Sequence, residues 1–265
     1  MSRVVVCTDS SALLSAHDVA RLGIEVVPIA LTLDGEPVRG DLDADEFYAR
    51  MAAGVSVATS QPSPMEFAAA YAALAARGVQ SVLSIHLDER VSGTAASAAS
   101  AARDATIPVR VVAIETVSFG VGLCVRTAAE AMAAGATARA AETLARTLGS
   151  TVRNVFVAPG APAGRVSQPA DWTVLTFAAG ETRPLAACES ITDAVEVMVE
   201  HILKAVAPIR VAVGHAAAAT EPAATDLAAA LAESDVVAEL ERYRVGPPVG
   251  AHSGPLSFGA FWWPE

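Results

Sequence analysis

The chain has 265 residues, 53% of them hydrophobic, with 18 basic and 29 acidic side chains and a formal net charge of −11. That apolar content is ample for a packed core and excludes a disordered chain, while the length suits one large α/β domain or two smaller ones. No basic cluster occurs anywhere, which argues against nucleic-acid or anionic-membrane surfaces. The single lysine, Lys204, excludes a P-loop and speaks against a lysine nucleophile or Schiff base.

In chain order, Arg3 to Thr8 is a short apolar run ending in Asp9-Ser10-Ser11, read as a buried first strand with polar residues at its carboxyl end. In parallel α/β sheets, ligands bind at that end. A short helix is expected around Ala16 to Arg21, then extended structure from Ile24 to Leu33 and a hairpin turn at Asp34-Gly35. Asp43 and Glu46 form a capping box before a helix with Phe47 and Met51.

The next stretch, Thr59-Ser60-Gln61-Pro62-Ser63-Pro64-Met65-Glu66, combines turn chemistry, small hydroxyls and a helix start. Pro64 suits the first helical position, with Ser63 as N-cap and Glu66 closing a capping box. Thr59 and Ser60 lie just upstream with their hydroxyls uncommitted. The helix to about Arg77 places Phe67, Tyr71 and Leu74 on one core face.

Ser81 to His86 is the next strand, and Ser92-Gly93-Thr94 leads into an alanine-serine helix to about Arg103. Val109 to Ile114 is a strand, followed by the Ser118-Phe119-Gly120-Val121-Gly122 turn and a helix to Ala134. Thr137 caps a further helix to about Leu148. Alternation of this kind implies a parallel sheet. Beyond Val152 the pattern becomes α+β. It has a strand at Val155 to Val157, a loop from Pro159 to Ala170, and a hairpin of Trp172–Ala178 with Thr182–Ala187. A helix follows from Ser190 to about Ala205, then a strand from Ile209 to His215 and a helix from Thr220 to Glu233. A strand from Val236 to Tyr243, a turn-rich loop from Gly246 to Pro255 and a last strand, Leu256 to Trp263, complete the chain. The expected boundary therefore lies near residue 150, with domains 1–150 and 151–265.

Cys7, Cys124 and Cys188 are far apart, odd in number and set in apolar elements, the pattern of buried reduced thiols in a cytoplasmic protein. The start of the chain carries no signal-peptide pattern. The uncharged stretch Val245 to Pro264 holds four prolines and four glycines, which rules out a spanning helix, so a soluble protein without stable membrane insertion is expected.

Three loops share one chemistry: Thr59-Ser60-Gln61, Ser92-Gly93-Thr94 and Ala251-His252-Ser253-Gly254 each carry hydroxyl or imidazole groups in or beside glycine- or proline-containing turns. Ser92-Gly93-Thr94 opens a helix, whose unsatisfied N–H groups favour carboxylates and phosphates. Read as residues alone, these turns also suit simple helix caps.

The chain resembles the DegV family of bacterial fatty-acid-binding proteins. The resemblance rests on Thr8-Asp9-Ser10-Ser11, Ile24 to Pro28 before Asp34-Gly35, Thr59 to Ser63, Leu83 to His86 and Val91 to Thr94, and on Gly246 to Gly250 with His252 to Pro255. It implies a two-domain architecture, a parallel-sheet α/β domain followed by an α+β domain with a mixed or antiparallel sheet, with a ligand tunnel between them. It further implies a fatty acid whose carboxylate is held by Thr59, Ser92 and His252, with Ser60, Gly93 and Thr94 in the binding set. Asp9, Ser10, Phe119 and Gly120 are then candidates for pocket lining, and no cofactor or metal is expected. The implied partner is a separate fatty-acid kinase, for which the protein is a carrier without chemistry of its own. Arg165 in Ala163-Gly164-Arg165-Val166-Ser167 is the candidate partner contact, in a segment shorter than the family's usual helical one. Ile114-Glu115-Thr116 stands where the family tends to have an aspartate-serine pair.

The main alternative is a serine hydrolase of acyl esters using Ser92, His252 and Asp9, although the G-x-S-x-G elbow is missing. A metal site from His86, His215 and His252 lacks ligand pairs at zinc-like spacing. A dinucleotide turn at Gly120-Val-Gly122 lacks its third glycine, Val125 standing there.

Overall fold

The computed structural model describes residues 3–38, 40, 42–159, 172–206 and 208–265. In chain order its elements are β1 (Val4–Asp9), α1 (Ala16–Leu22), β2 (Glu25–Val27), β3 (Ala30–Leu33), β4 (Glu36–Pro37), α2 (Ala44–Ala52) and β5 (Val57–Ser60). Next come α3 (Pro64–Ala76), β6 (Ser81–Leu87), α4 (Thr94–Ala102), β7 (Val109–Ile114), α5 (Phe119–Ala133), α6 (Ala138–Thr151) and β8 (Arg153–Val157). The remainder is β9 (Val174–Ala178), β10 (Glu181–Ala186), α7 (Ile191–Ile202), β11 (Ile209–His215), α8 (Glu221–Ala232), β12 (Val237–Arg244), α9 (Pro247–Ser253) and β13 (Phe258–Pro264).

These elements form two compact units. One contains residues 1–30 and 60–150, the other 31–59 and 151–265. The second unit therefore takes residues 31–59, which a division at residue 150 assigns to the first. The reason is packing. Leu31, Leu33, Phe47 and Tyr48 bury themselves in one cluster with Ala216, Val245 and Ala251, residues far later in the chain. Pro28 breaks the expected Ile24–Leu33 run in two, so that β2 and β3 enter different sheets.

The first unit is an α/β sandwich around a parallel sheet of order β2-β1-β6-β7. Strand alternation sends Val6, Leu83, Ile85 and Leu87 to the face covered by Val121, Cys124, Val125 and Ala128 of α5. Val5, Cys7 and Val82 go to the other face, against Phe67, Tyr71 and Leu74 of α3 and Ala98 of α4. The capping box of α3 forms as expected, Ser63 N donating to Glu66 Oε2 at 2.7 Å and Glu66 N to Ser63 Oγ at 3.3 Å. The cap of α2 is one-sided: Asp43 accepts from the N–H groups of Asp45 and Glu46, while the Glu46 carboxylate pairs with Arg50.

The second unit carries a mixed sheet of order β10-β9-β8-β13-β11-β12, in which β11 and β12 are parallel and the other neighbouring pairs antiparallel. Helices α7 and α8 pack on it through Met198, Ile202, Leu227 and Leu231. A small sheet of order β4-β3-β5 completes the described strands. One expectation fails here: Pro247 to Ser253 is a helix, where the sequence predicts a turn-rich loop from Gly246 to Pro255. Both prolines fall at its first positions, where no intrahelical N–H bond is needed, and Gly254 ends it at φ 80.

Gly122 on α5 allows the helix to lie directly on the backbone at Ala12, whose carbonyl oxygen a Cβ at position 122 would strike. Backbone cannot swing aside as a side chain can. Gly122→Ala should therefore lower stability by about 3 kcal/mol, the upper end of overpacking costs. Urea unfolding checks this, and a loss under about 1 kcal/mol would show that the α5 approach relaxes freely.

Candidate functional site

In the second unit β5 and α9 bring together two of the singled-out residues. Thr59 Oγ1 lies 2.9 Å from His252 Nε2, although 193 residues separate them in sequence. Both side chains are half-buried. Alternation along β5 puts Val57 and Thr59 on the more buried side and leaves Ala58 and Ser60 exposed, so Ser60 points away from Thr59. The depth of α9 is set by Tyr48, whose hydroxyl donates to the Val245 carbonyl at 2.8 Å. Gly250 sits where a Cβ would collide with that hydroxyl.

In the first unit the Ser92-Gly93-Thr94 turn starts α4. Gly93 occupies the N-cap, so the helix has no side-chain cap there. Ser92 Oγ instead contacts Thr94 Oγ1 at 2.8 Å and accepts from Thr94 N at 3.3 Å. The simple Ser or Thr cap is thus absent, and the N–H groups of a first helical turn are the natural partners of an anion. Gln61 lies over this turn, with Nε2 donating to Ser97 Oγ at 3.1 Å. Gln61 was absent from the sequence-derived binding set. The compact Gln-Pro turn before a capping box was the available signal.

The remaining sequence candidates are placed as follows. Ser10 Oγ accepts from Ile29 N at 2.9 Å. Phe119 and Gly120 are buried at the start of α5, with the Arg126 guanidinium carbon 6.0 Å from the Phe119 ring centroid. Arg165 lies outside the described residues. Asp9 is fully buried: Oδ2 lies 2.8 Å from His86 Nδ1, and Oδ1 accepts from Ser11 N at 3.1 Å and Ser11 Oγ at 2.5 Å. His86 Nε2 is 2.8 Å from Ser84 Oγ, and Ser84 Oγ is 2.9 Å from the Tyr71 hydroxyl. This chain was not read from the sequence, because Ser84 and His86 look like ordinary strand residues until α3 is laid on them.

The buried chain bears on the hydrolase alternative. Both Asp9 carboxylate oxygens are engaged inside the first unit, so Asp9 does not serve as the orienting acid of a Ser92–His252 pair. Burial pushes the thiols of Cys7 and Cys124 up to about 12, the reverse of an activated nucleophile. The three histidines of the metal alternative have separate partners: Asp9 and Ser84 for His86, Arg244 for His215, Thr59 for His252. Among the described residues, no group of three or more His, Cys, Asp or Glu side chains is arranged to hold a metal ion.

A separate cleft of about 330 Å³ opens beyond the carboxyl ends of β6 and β7, lined by Asp88, Arg90, Glu115 and Arg146 among others. Within it Arg90 pairs with Asp88, while Arg146 pairs with Glu142 of α6. Arg90 donates to both oxygens of Asp88, holding that carboxyl below its ordinary value.

A protein with a parallel α/β unit, a mixed-sheet α+β unit and hydroxyl–imidazole turns is the class defined so far. A family model described as "Uncharacterised protein, DegV family" matches residues 3–158. A DegV domain-containing protein of Streptomyces coelicolor is 31% identical over 284 residues, covering 98% of each chain. Among solved structures, a DegV family protein from Thermus thermophilus, described as fatty acid binding, aligns with TM-score 0.89 and 25% identity over 99% of this chain and 100% of that one. DegV of Bacillus subtilis, described as a fatty acid binding protein, aligns with TM-score 0.88 and 25% identity over the whole of both chains. The chain belongs to the DegV family. No helix among the described residues is long and apolar enough to cross a membrane.

A Cβ at Gly93 would meet Gln61 Oε1 and Nε2 at 2.6 and 2.8 Å. The carboxamide ends a flexible side chain and swings aside, losing Ser97. Gly93→Ala should cost about 0.5–1.5 kcal/mol, the worth of that hydrogen bond, and should cost nothing further in a Gln61→Ala background. A urea-unfolding double-mutant cycle measures this; equal penalties in both backgrounds would show that the glycine is needed for another reason.

Proposed function

We propose that this protein binds a fatty acid and holds its carboxylate with Thr59, His252 and the Ser92-Gly93-Thr94 turn. The single observation that carries this reading is the Thr59–His252 contact of 2.9 Å. With a proton on Nε2, the imidazole donates to Thr59 Oγ1, which leaves the Thr59 hydroxyl proton for a carboxylate oxygen. Ser92 adds a second hydroxyl, and the N–H groups opening α4 favour negative charge. Support comes from relatives of the same fold and length that are described as fatty acid binding, from Thermus thermophilus and Bacillus subtilis. Asp9, with both oxygens engaged, is not among the ligand contacts in this reading.

The protein in this reading carries no reaction of its own. It presents the carboxylate to a separate fatty-acid kinase, which transfers the γ-phosphoryl group of ATP to a carboxylate oxygen, leaving ADP and an acyl phosphate. That assignment fits a site with acceptor-binding donors and no activated nucleophile.

A hydrogen bond to a charged group contributes about 1.5–3 kcal/mol, roughly ten- to a hundredfold in affinity. Thr59→Ala, Ser92→Ala and His252→Ala should each weaken palmitate binding by that factor in a calorimetric titration, with far-UV circular dichroism unchanged. Affinities within twofold of wild type for all three variants would place the carboxylate elsewhere.

A further inference from the structure

His215 and Arg244 stand directly opposite each other at the carboxyl ends of the parallel strands β11 and β12. Arg244 Nη1 lies 3.2 Å from His215 Nε2. A guanidinium offers only donors, so Nε2 is the acceptor and the neutral ring carries its proton on Nδ1. Nδ1 is buried and has no hydrogen-bond partner among the described residues. The second proton of a charged ring goes on Nε2, where the nearest group is the Arg244 cation.

The other arm of Arg244 pairs with Asp45 on α2. Its guanidinium carbon sits 6.0 Å from the ring centroid of Tyr48, also on α2. Tyr48 in turn bonds to the carbonyl of Val245, whose N–H donates to the His215 carbonyl at 2.9 Å. Val245 leads through Gly246 into α9, the helix of His252. The charged groups acting on His215 are Arg244 and Arg242 from β12, Asp45 from α2 and Glu221 from α8. Burial, then Arg244, holds the imidazole below its ordinary value.

We propose that His215, Arg244 and Asp45 form an acid-released latch that holds α2 against the carboxyl end of β12, from which the chain runs into α9, and thereby sets the Thr59–His252 pair. Uptake of a solvent proton at His215 Nε2 turns the acceptor of Arg244 Nη1 into a donor. Two cations then face each other, the guanidinium leaves its seat between His215 and Asp45, and α2 loosens from the end of β12 and the start of α9. The sign follows from linkage. The folded-state value lies below the unfolded one, so the stabilisation is intact above about pH 6.5 and is lost as the pH falls below it. The latch rests on the contacts of the second unit, and its effect on ligand affinity rests on the fatty-acid reading above.

The test is hydrogen exchange of the α2 and α9 amides between pH 8 and pH 5, corrected for intrinsic rates, in wild type and His215→Gln. The glutamine carbonyl accepts from Arg244 and does not titrate. Protection in wild type should fall about tenfold across the range, and should stay flat in His215→Gln. Parallel profiles in the two proteins overturn the latch. A second reading needs no variant: the nitrogen shifts of the His215 ring at pH 8 should report the Nδ1–H tautomer, and the Nε2–H tautomer would overturn it. Palmitate titrations at both pH values separate the two proposals. Palmitate that fails to bind at any pH removes the fatty-acid reading and leaves the exchange result to decide the latch.

Discussion

The second unit depends on the burial of Tyr48. Its hydroxyl donates to the Val245 carbonyl, and its ring lies in a cluster with Leu31, Leu33, Phe47 and Ala251. A buried tyrosine hydroxyl left without an acceptor costs about 1–3 kcal/mol, so the segment 31–59 has one well-defined seat. Desolvation pushes the phenol well above its ordinary value, which keeps it neutral and a donor at any physiological pH. With Tyr48 seated, β5 follows a short distance on and delivers Thr59 to His252. The site thus inherits its geometry from a core contact.

Much of the fold was legible in the sequence because its signals were local. Pro64, Ser63 and Glu66 specify the start of α3 among themselves, and Ser190 with Asp193 does the same for α7. Asp34-Gly35 supplies the two positive φ values of a tight hairpin turn, at 49° and 83°. The misread elements were those decided by distant partners. Pro247 and Pro248 resemble loop punctuation, yet at the first turn of α9 they cost no hydrogen bond. The membership of residues 31–59 turns on Val245 and Ala251, which no local window includes. Thr59, Ser92 and His252 were singled out as polar groups in turns. The Asp9–His86–Ser84–Tyr71 chain was missed, because a buried polar network has no periodicity to read.

The chemistry of the polar groups separates binding from catalysis. A hydrolase needs a nucleophile activated by a base, and a base oriented by a third group. Asp9, the acid of the hydrolase alternative, is held by His86 and Ser11. Ser92 is paired with Thr94, and the Cys7 and Cys124 thiols are raised by burial. What remains accessible in kind is a set of hydroxyl, imidazole and backbone donors, which suits an anion held without being transformed.

In the proposed reading a carboxylate is held through Thr59 and His252. Carbon-13 NMR of carboxyl-labelled palmitate added to the purified protein tests it most directly. A bound carboxyl resonance distinct from free palmitate is expected, which moves in Thr59→Val and is lost or shifted towards the free position in His252→Ala. A bound resonance identical in wild type and both variants, or no bound resonance at all, would contradict it.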